Sequence, residues 1–203
     1  MHEELKRCWR GLWRLIEAEG DPDKVFNELS ALYSKPERKY HTLAHVSHCL
    51  YEFRGVWLWA ENPDVVELAI WIHDARDTEE ESATLALEIV RNAQLPDSFG
   101  QRVSQLIVAS KHNTAPTDHD TRLFVDIDLA ILGQSPEKFD EYEAQIREEY
   151  SWVPKRTFQA KRREILLRFL KRPRIYLTPH FYDRYELQAQ RNLTRSVKNL
   201  SSK

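Results

Sequence analysis

Apolar residues recur at three- and four-residue spacing along most of this chain. Near the N-terminus Leu5, Trp9, Leu12, Trp13 and Ile16 form one such stripe, and Gly20-Asp21-Pro22 ends it. A second helix is expected from about Asp23 to Tyr33, with Val25, Phe26, Leu29 and Leu32 inward, before Ser34-Lys35-Pro36 breaks the run. The pattern predicts a third over 41–60 and, with Asp64 as its N-cap, a strongly apolar one over 65–73. Further helices are expected at about 80–93, 97–111, 122–132, 136–150, 154–170 and 179–200. Ser135-Pro136 reads as an N-cap followed by proline at the first helical position. No stretch alternates with period two for long enough to argue a strand, and neither a repeat nor a linker divides the chain. The expectation is an all-α fold of roughly nine to ten helices in one compact domain, residues 1–203.

Composition narrows the function classes. Five glycines are too few for a turn-rich β-sandwich or the usual glycine-rich nucleotide loops. The 203 residues carry a formal charge of −2, so global charge argues for neither a nucleic-acid nor a membrane partner. Charge is nonetheless uneven: residues 61–97 are mainly acidic, and residues 155–174 are rich in Lys and Arg with Glu164 as the lone acid. Cys8 and Cys49 make no C-x-x-C pair, which fits a reducing compartment. The charged N-terminus and the lack of a long apolar run set a cytoplasmic protein as the expectation.

Three segments carry chemistry. His41, His45 and His48 stack on one face if the segment is helical from His41. The almost wholly apolar Val65–Ile72 ends in His73-Asp74, and burying such an ionisable pair without partners costs several kcal/mol. A divalent cation removes that cost by accepting the carboxylate and an imidazole together. In the third segment, Phe124 to Gly133, Asp126 and Asp128 lie two apart among apolar residues. On a helix they cannot share a face, so one is free to bind metal while the other orients a ligand or caps a neighbour.

The order H…HD…D resembles the HD superfamily of metal-dependent phosphohydrolases. A tighter resemblance is to a small bacterial branch of predicted HD phosphohydrolases. It rests on Tyr40-His41 through His45, the helix ending His73-Asp74, Asp126-Ile127-Asp128-Leu129 with Ile131-Leu132-Gly133, Arg147-Glu148-Glu149-Tyr150 and Arg191-Asn192-Leu193.

The resemblance implies hydrolysis of a phosphoester, a nucleotide or other small phosphorylated metabolite, by metal-activated water. It implies a divalent ion (Mn, Fe, Co, Ni, Zn or Mg) held by His45, His73, Asp74 and Asp128, with Asp126 as the alternative ligand. His41 looks like the residue that protonates the leaving oxygen in the cyclic nucleotide phosphodiesterases, distant HD relatives. Glu79 matches a family glutamate and is the candidate to orient water or reach a second ion, although the segment preceding it here is short and Thr78 replaces an Asn. Lys111, His112 and Arg147, or an Arg from 162–163, are the candidates to contact substrate. A homo-oligomer is allowed; a nucleic-acid partner is not expected. A non-catalytic metal and nucleotide sensor and an HD-fold iron oxygenase are the alternative readings.

Overall fold

The computed structural model describes residues 1–201. Among these, ten α-helices and two short 3-10 turns account for the regular structure, with no strand, as the periodicity predicts. Among the described residues no helix is long and apolar enough to cross a membrane. The chain forms two compact units, Met1–Val125 and Asp126–Lys203.

The first unit comprises α1 (His2–Leu15), α2 (Pro22–Tyr33), α3 (Leu43–Arg54), α4 (Pro63–Ile72), α5 (Glu79–Asn92), α6 (Asp97–Ala109) and most of α7 (His119–Asp128). Its centre is α4, where Val65, Val66 and every residue from Leu68 to Ile72 are buried, and α1, α3, α5 and α6 pack on it. Trp71 meets Trp9 edge-on with ring centroids 5.4 Å apart, and Phe26 closes the cluster at 6.2 Å. The last carbonyls of a helix lack partners within it, and Tyr33 supplies one by donating its hydroxyl to the Trp71 carbonyl at 3.0 Å.

The start of α4 departs from expectation. Pro63 occupies its first turn, so Asn62, not Asp64, precedes the helix, and no side chain of that residue caps it. Asp120, buried at the start of α7, takes over by accepting from the amides of Glu61 and Asn62 and from the Asn62 side chain at 2.8–3.0 Å. That contact spans 58 positions, so no local pattern could announce it. Residues 57–59 form a 3-10 turn that ends the expected long helix, leaving Leu58 84% exposed between Trp57 and Trp59.

In the second unit, the end of α7 leads into a 3-10 turn (Leu129–Gly133), α8 (Pro136–Glu149), α9 (Lys155–Leu170) and α10 (Pro179–Ser201). Buried Arg162 joins three helices. It donates to Glu143 on α8 and lies over the Tyr142 ring at 5.0 Å, while Ser196 on α10 donates to the other Glu143 oxygen at 2.8 Å. The buried segment 175–178 carries backbone amides that demand acceptors. Two buried carboxylates supply them: Glu186 takes Ile175 and Tyr176 at 3.0–3.1 Å, and Asp126 takes Leu177 and Thr178 at 2.7–3.0 Å.

Gly133 sits where α10 presses closest. A Cβ added there would meet the Tyr185 carbonyl oxygen at 2.8 Å, and backbone cannot move aside as a side-chain tip can. Gly133→Ala is therefore expected to lower stability by about 1–3 kcal/mol, read as a fall in the denaturation midpoint at unchanged slope.

Candidate metal centre

Thr42 caps α3 by accepting from the Ala44 amide, so the helix begins at Leu43. His41 therefore lies in the turn before the helix rather than one turn below His45, which corrects the three-histidine face. The two rings still meet edge-on with centroids 6.0 Å apart, and Tyr40 packs on His45 at 4.8 Å. His45 points inward from the first turn of α3. His48 faces away, half-buried, beside Glu52 at 3.5 Å.

His73 caps the C-terminal end of α4, and Asp74 follows in the turn. The His73 Nδ1 lies 3.0 Å from the Ile70 carbonyl oxygen, which can only accept. Nδ1 must therefore carry the proton, and in the neutral ring Nε2 keeps its lone pair. That Nε2 is 3.1 Å from the Nε2 of His45 and 3.0 Å from Oδ2 of Asp74, and the same oxygen is 3.3 Å from the Nε2 of His45. Both imidazoles are buried, while about a quarter of the Asp74 side chain is open. Two donor nitrogens and a carboxylate oxygen thus form a triangle with one accessible side.

Burial by itself would push the Asp74 carboxyl up. When His73 and His41 are protonated, their positive charge, with hydrogen bonds donated by protonated His45 and His73, outweighs it and holds the group well below the usual carboxylate range. The main chain of this turn is clamped from below by Arg38, whose side chain is only 7% exposed. Its guanidinium donates to the carbonyls of Asp74, His41 and Arg76, the last two at 3.1 and 3.2 Å, and lies over the Tyr33 ring. The sequence reading missed Arg38. Its signal was slight, one Arg three residues before His41 in a charged turn.

Cys49, one helical turn beyond His45, was also missed. His45, Cys49 and His73 make a possible buried metal-binding group, one donor atom from each lying within 4.8 Å of the others. The sulfur stands 3.8 Å from one His45 nitrogen and 3.7 Å from the other. Equal distances put it beside the ring rather than along the Nε2 lone pair. Asp74 Oδ2 is the better-directed third donor, and Cys49 packs the ring in place.

The donor set fits a divalent ion. Ligand atoms each about 2.1 Å from one ion, spread by 90–110°, stand about 3.0–3.4 Å apart, and all three observed separations fall in that interval.

The remaining expected residues are distributed as follows. Asp126 is committed to the amides of Leu177 and Thr178 and to the Thr178 hydroxyl at 2.6 Å, so its carboxylate positions the approach to α10. Asp128 closes α7, half-buried, four residues after Phe124 and hence on the same helical face. Phe124 sets its ring edge-on to His73, with centroids 5.7 Å apart. Glu79 opens α5 partly exposed, and Lys111 pairs with Glu80. His112 adopts the left-handed backbone region, φ 54°, at the end of α6.

Arg147 stacks on Phe158 at 4.7 Å and donates to the carbonyls of Tyr150 and Val153, binding together the loop before α9. Arg162 is likewise taken up by Glu143. His119, in the first turn of α7, is exposed, with its ring 2.9 Å from the Trp59 carbonyl.

No family model, curated protein or solved structure matches this chain.

Two outcomes test this description. Arg38→Ala leaves three carbonyls short of a donor and is expected to cost about 1–3 kcal/mol in chemical denaturation. Arg38→Lys should restore little of it, since an ammonium cannot reproduce the planar fork. Asp126→Ala strips the acceptors from two buried amides and should cost at least as much, about 3 kcal/mol in the same measurement.

Proposed function

We propose that the His45–His73–Asp74 triangle holds a catalytic divalent metal ion and that the protein hydrolyses a small phosphoester. The observation that carries the reading is the convergence of two imidazole nitrogens and one carboxylate oxygen within 3.3 Å, with His73 turned by the Ile70 carbonyl so that its lone pair faces the others. Lone pairs so placed repel unless a proton or a cation lies among them, and a divalent ion would answer all three at once.

Asp128 is the proposed fourth ligand. The resemblance points to it, and Asp126, the alternative, spends its carboxylate on the Leu177 and Thr178 amides. The mixed set of two imidazoles and two carboxylates suits Mn, Fe, Co, Ni, Zn or Mg. When bound, such an ion brings the pKa of a coordinated water from about 15.7 down toward neutrality.

The chain's own residues have distinct parts. The Nδ1 contact to Ile70 fixes the tautomer of His73, and Cys49 and Tyr40 fix the ring of His45 between them. Arg38 holds the backbone that presents Asp74. His41 stands beside His45 with its imidazole outside the triangle, close enough to bear on the charge of Asp74, and serves as the proton donor to the leaving oxygen. The open side of Asp74 is where substrate approaches. The substrate class, a nucleotide or other small phosphorylated metabolite, follows the resemblance to HD phosphohydrolases.

Metal titration of the chelator-treated chain, followed by melting and by a phosphomonoester and phosphodiester panel, tests the reading. An ion at 100 times its Kd should stabilise the protein by about 2.7 kcal/mol and raise Tm by about 5–10 °C. Asp74→Ala and Asp128→Ala should each abolish most of that shift, while His41→Gln should keep it and lose turnover by about 100-fold or more. An unchanged Tm with every divalent ion overturns the metal centre. Metal binding without turnover on any ester overturns the hydrolase and leaves a sensor.

A further inference from the structure

The whole-chain charge of −2 conceals a strong division. Residues 126–203 carry sixteen Lys and Arg against eleven Asp and Glu, so the second unit is positive and the first correspondingly negative. The surplus is concentrated on α9. Buried Arg162, Leu166 and Phe169 define its inward side. At 100° per residue, Arg156, Lys161, Arg163, Arg168 and Lys171 fall on the opposite, exposed arc, with Glu164 as the single acid among them.

Glu164 is 3.2 Å from Lys161, and Arg163 donates to Ser201 on α10, so one carboxylate faces a row of five cations. Lys155 and Arg156 also occupy the first turn, where the helix dipole disfavours positive charge, and no acid offsets them there. An arrangement that works against helix stability in this way is consistent with a role for the cations outside the fold.

A second feature lies in the loop that leads into this helix. Trp152 is 78% exposed, with Tyr150, itself 41% exposed, at 6.4 Å between ring centroids. Arg147 holds the loop from inside through the Tyr150 and Val153 carbonyls while stacked on Phe158, so the indole is displayed on a supported turn.

We propose that the outer face of α9, with Trp152 at its head, is a docking surface for single-stranded nucleic acid. The cations meet backbone phosphates, and the indole stacks on an unpaired base. Leu166 and Phe169 of α9 are buried and Phe158, Ile165, Leu167 and Leu170 only partly exposed, so the helix has no continuous apolar face to insert into a membrane. An acidic polypeptide would satisfy the cations but make no use of a planar ring. The inference rests on the second unit alone and stands apart from the metal centre.

Fluorescence anisotropy of a labelled 20-nucleotide oligo(dT) with the full chain provides the test, run from 50 to 200 mM salt. Four to five phosphate contacts give a log–log salt slope of about −3. Lys161→Gln/Arg168→Gln/Lys171→Gln should weaken binding by at least tenfold and reduce the slope by about 2. Trp152→Ala should weaken it about tenfold with the slope unchanged, a separation of charge from stacking. All four positions are exposed, so each variant should keep the wild-type Tm. Absence of binding at 50 mM salt overturns the proposal. So does retention of affinity in Trp152→Ala, or equally tight binding to phosphatidylserine vesicles, to polyglutamate or to the matching duplex.

Discussion

Two imidazole nitrogens and a carboxylate oxygen within 3.3 Å of one another need a proton or a cation among them, and the first unit holds all three in place. The apolar run of α4 fixes the geometry. Because nearly all of its residues are buried, the helix has no freedom to rotate, and whatever follows Ile72 is delivered to one place. Tyr33 secures the last turn through the Trp71 carbonyl, and Arg38 secures the turn beyond it. These contacts position His73 and Asp74 without touching their functional atoms. They belong to the supporting shell on which a site's precision depends.

Part of this was readable from the amino-acid order, and the part that was not has a physical reason. An apolar helix ending in His-Asp announces itself because burial and ionisation conflict locally, within ten residues. The same holds for two carboxylates in an apolar run: Asp126 and Asp128 fall on different faces, so they cannot share one partner. That Asp126 is committed to Leu177 and Thr178, more than fifty positions away, no local pattern could announce. Asp120 beneath the start of α4 and Arg38 beneath Asp74 escaped for the same reason, since a long-range acceptor or donor leaves no periodic trace. The all-helical architecture, by contrast, follows from repeated short-range spacing and was legible almost throughout.

Candidates chosen for charge alone fared differently. Lys111, Arg147 and Arg162 looked available to an anion because nothing in their neighbourhood declared a partner. In the fold they meet Glu80, a pair of loop carbonyls and Glu143. A guanidinium brings five donors to a buried place and is often recruited to finish a fold's hydrogen bonding, as Arg38, Arg147 and Arg162 each do here. Exposure, rather than residue type, separates these from the outward cations of α9.

Thr42 marks where α3 begins, and so it divides the labour of two neighbouring histidines. His45, in the first turn of the helix, is buried with its ring packed by Tyr40 and Cys49. His41, one residue outside the cap, lies half-buried with its ring against Tyr40 and His45. A single hydroxyl therefore sets one imidazole inside the helix and its neighbour just outside, so the two rings meet edge-on across a helix boundary instead of stacking on one face.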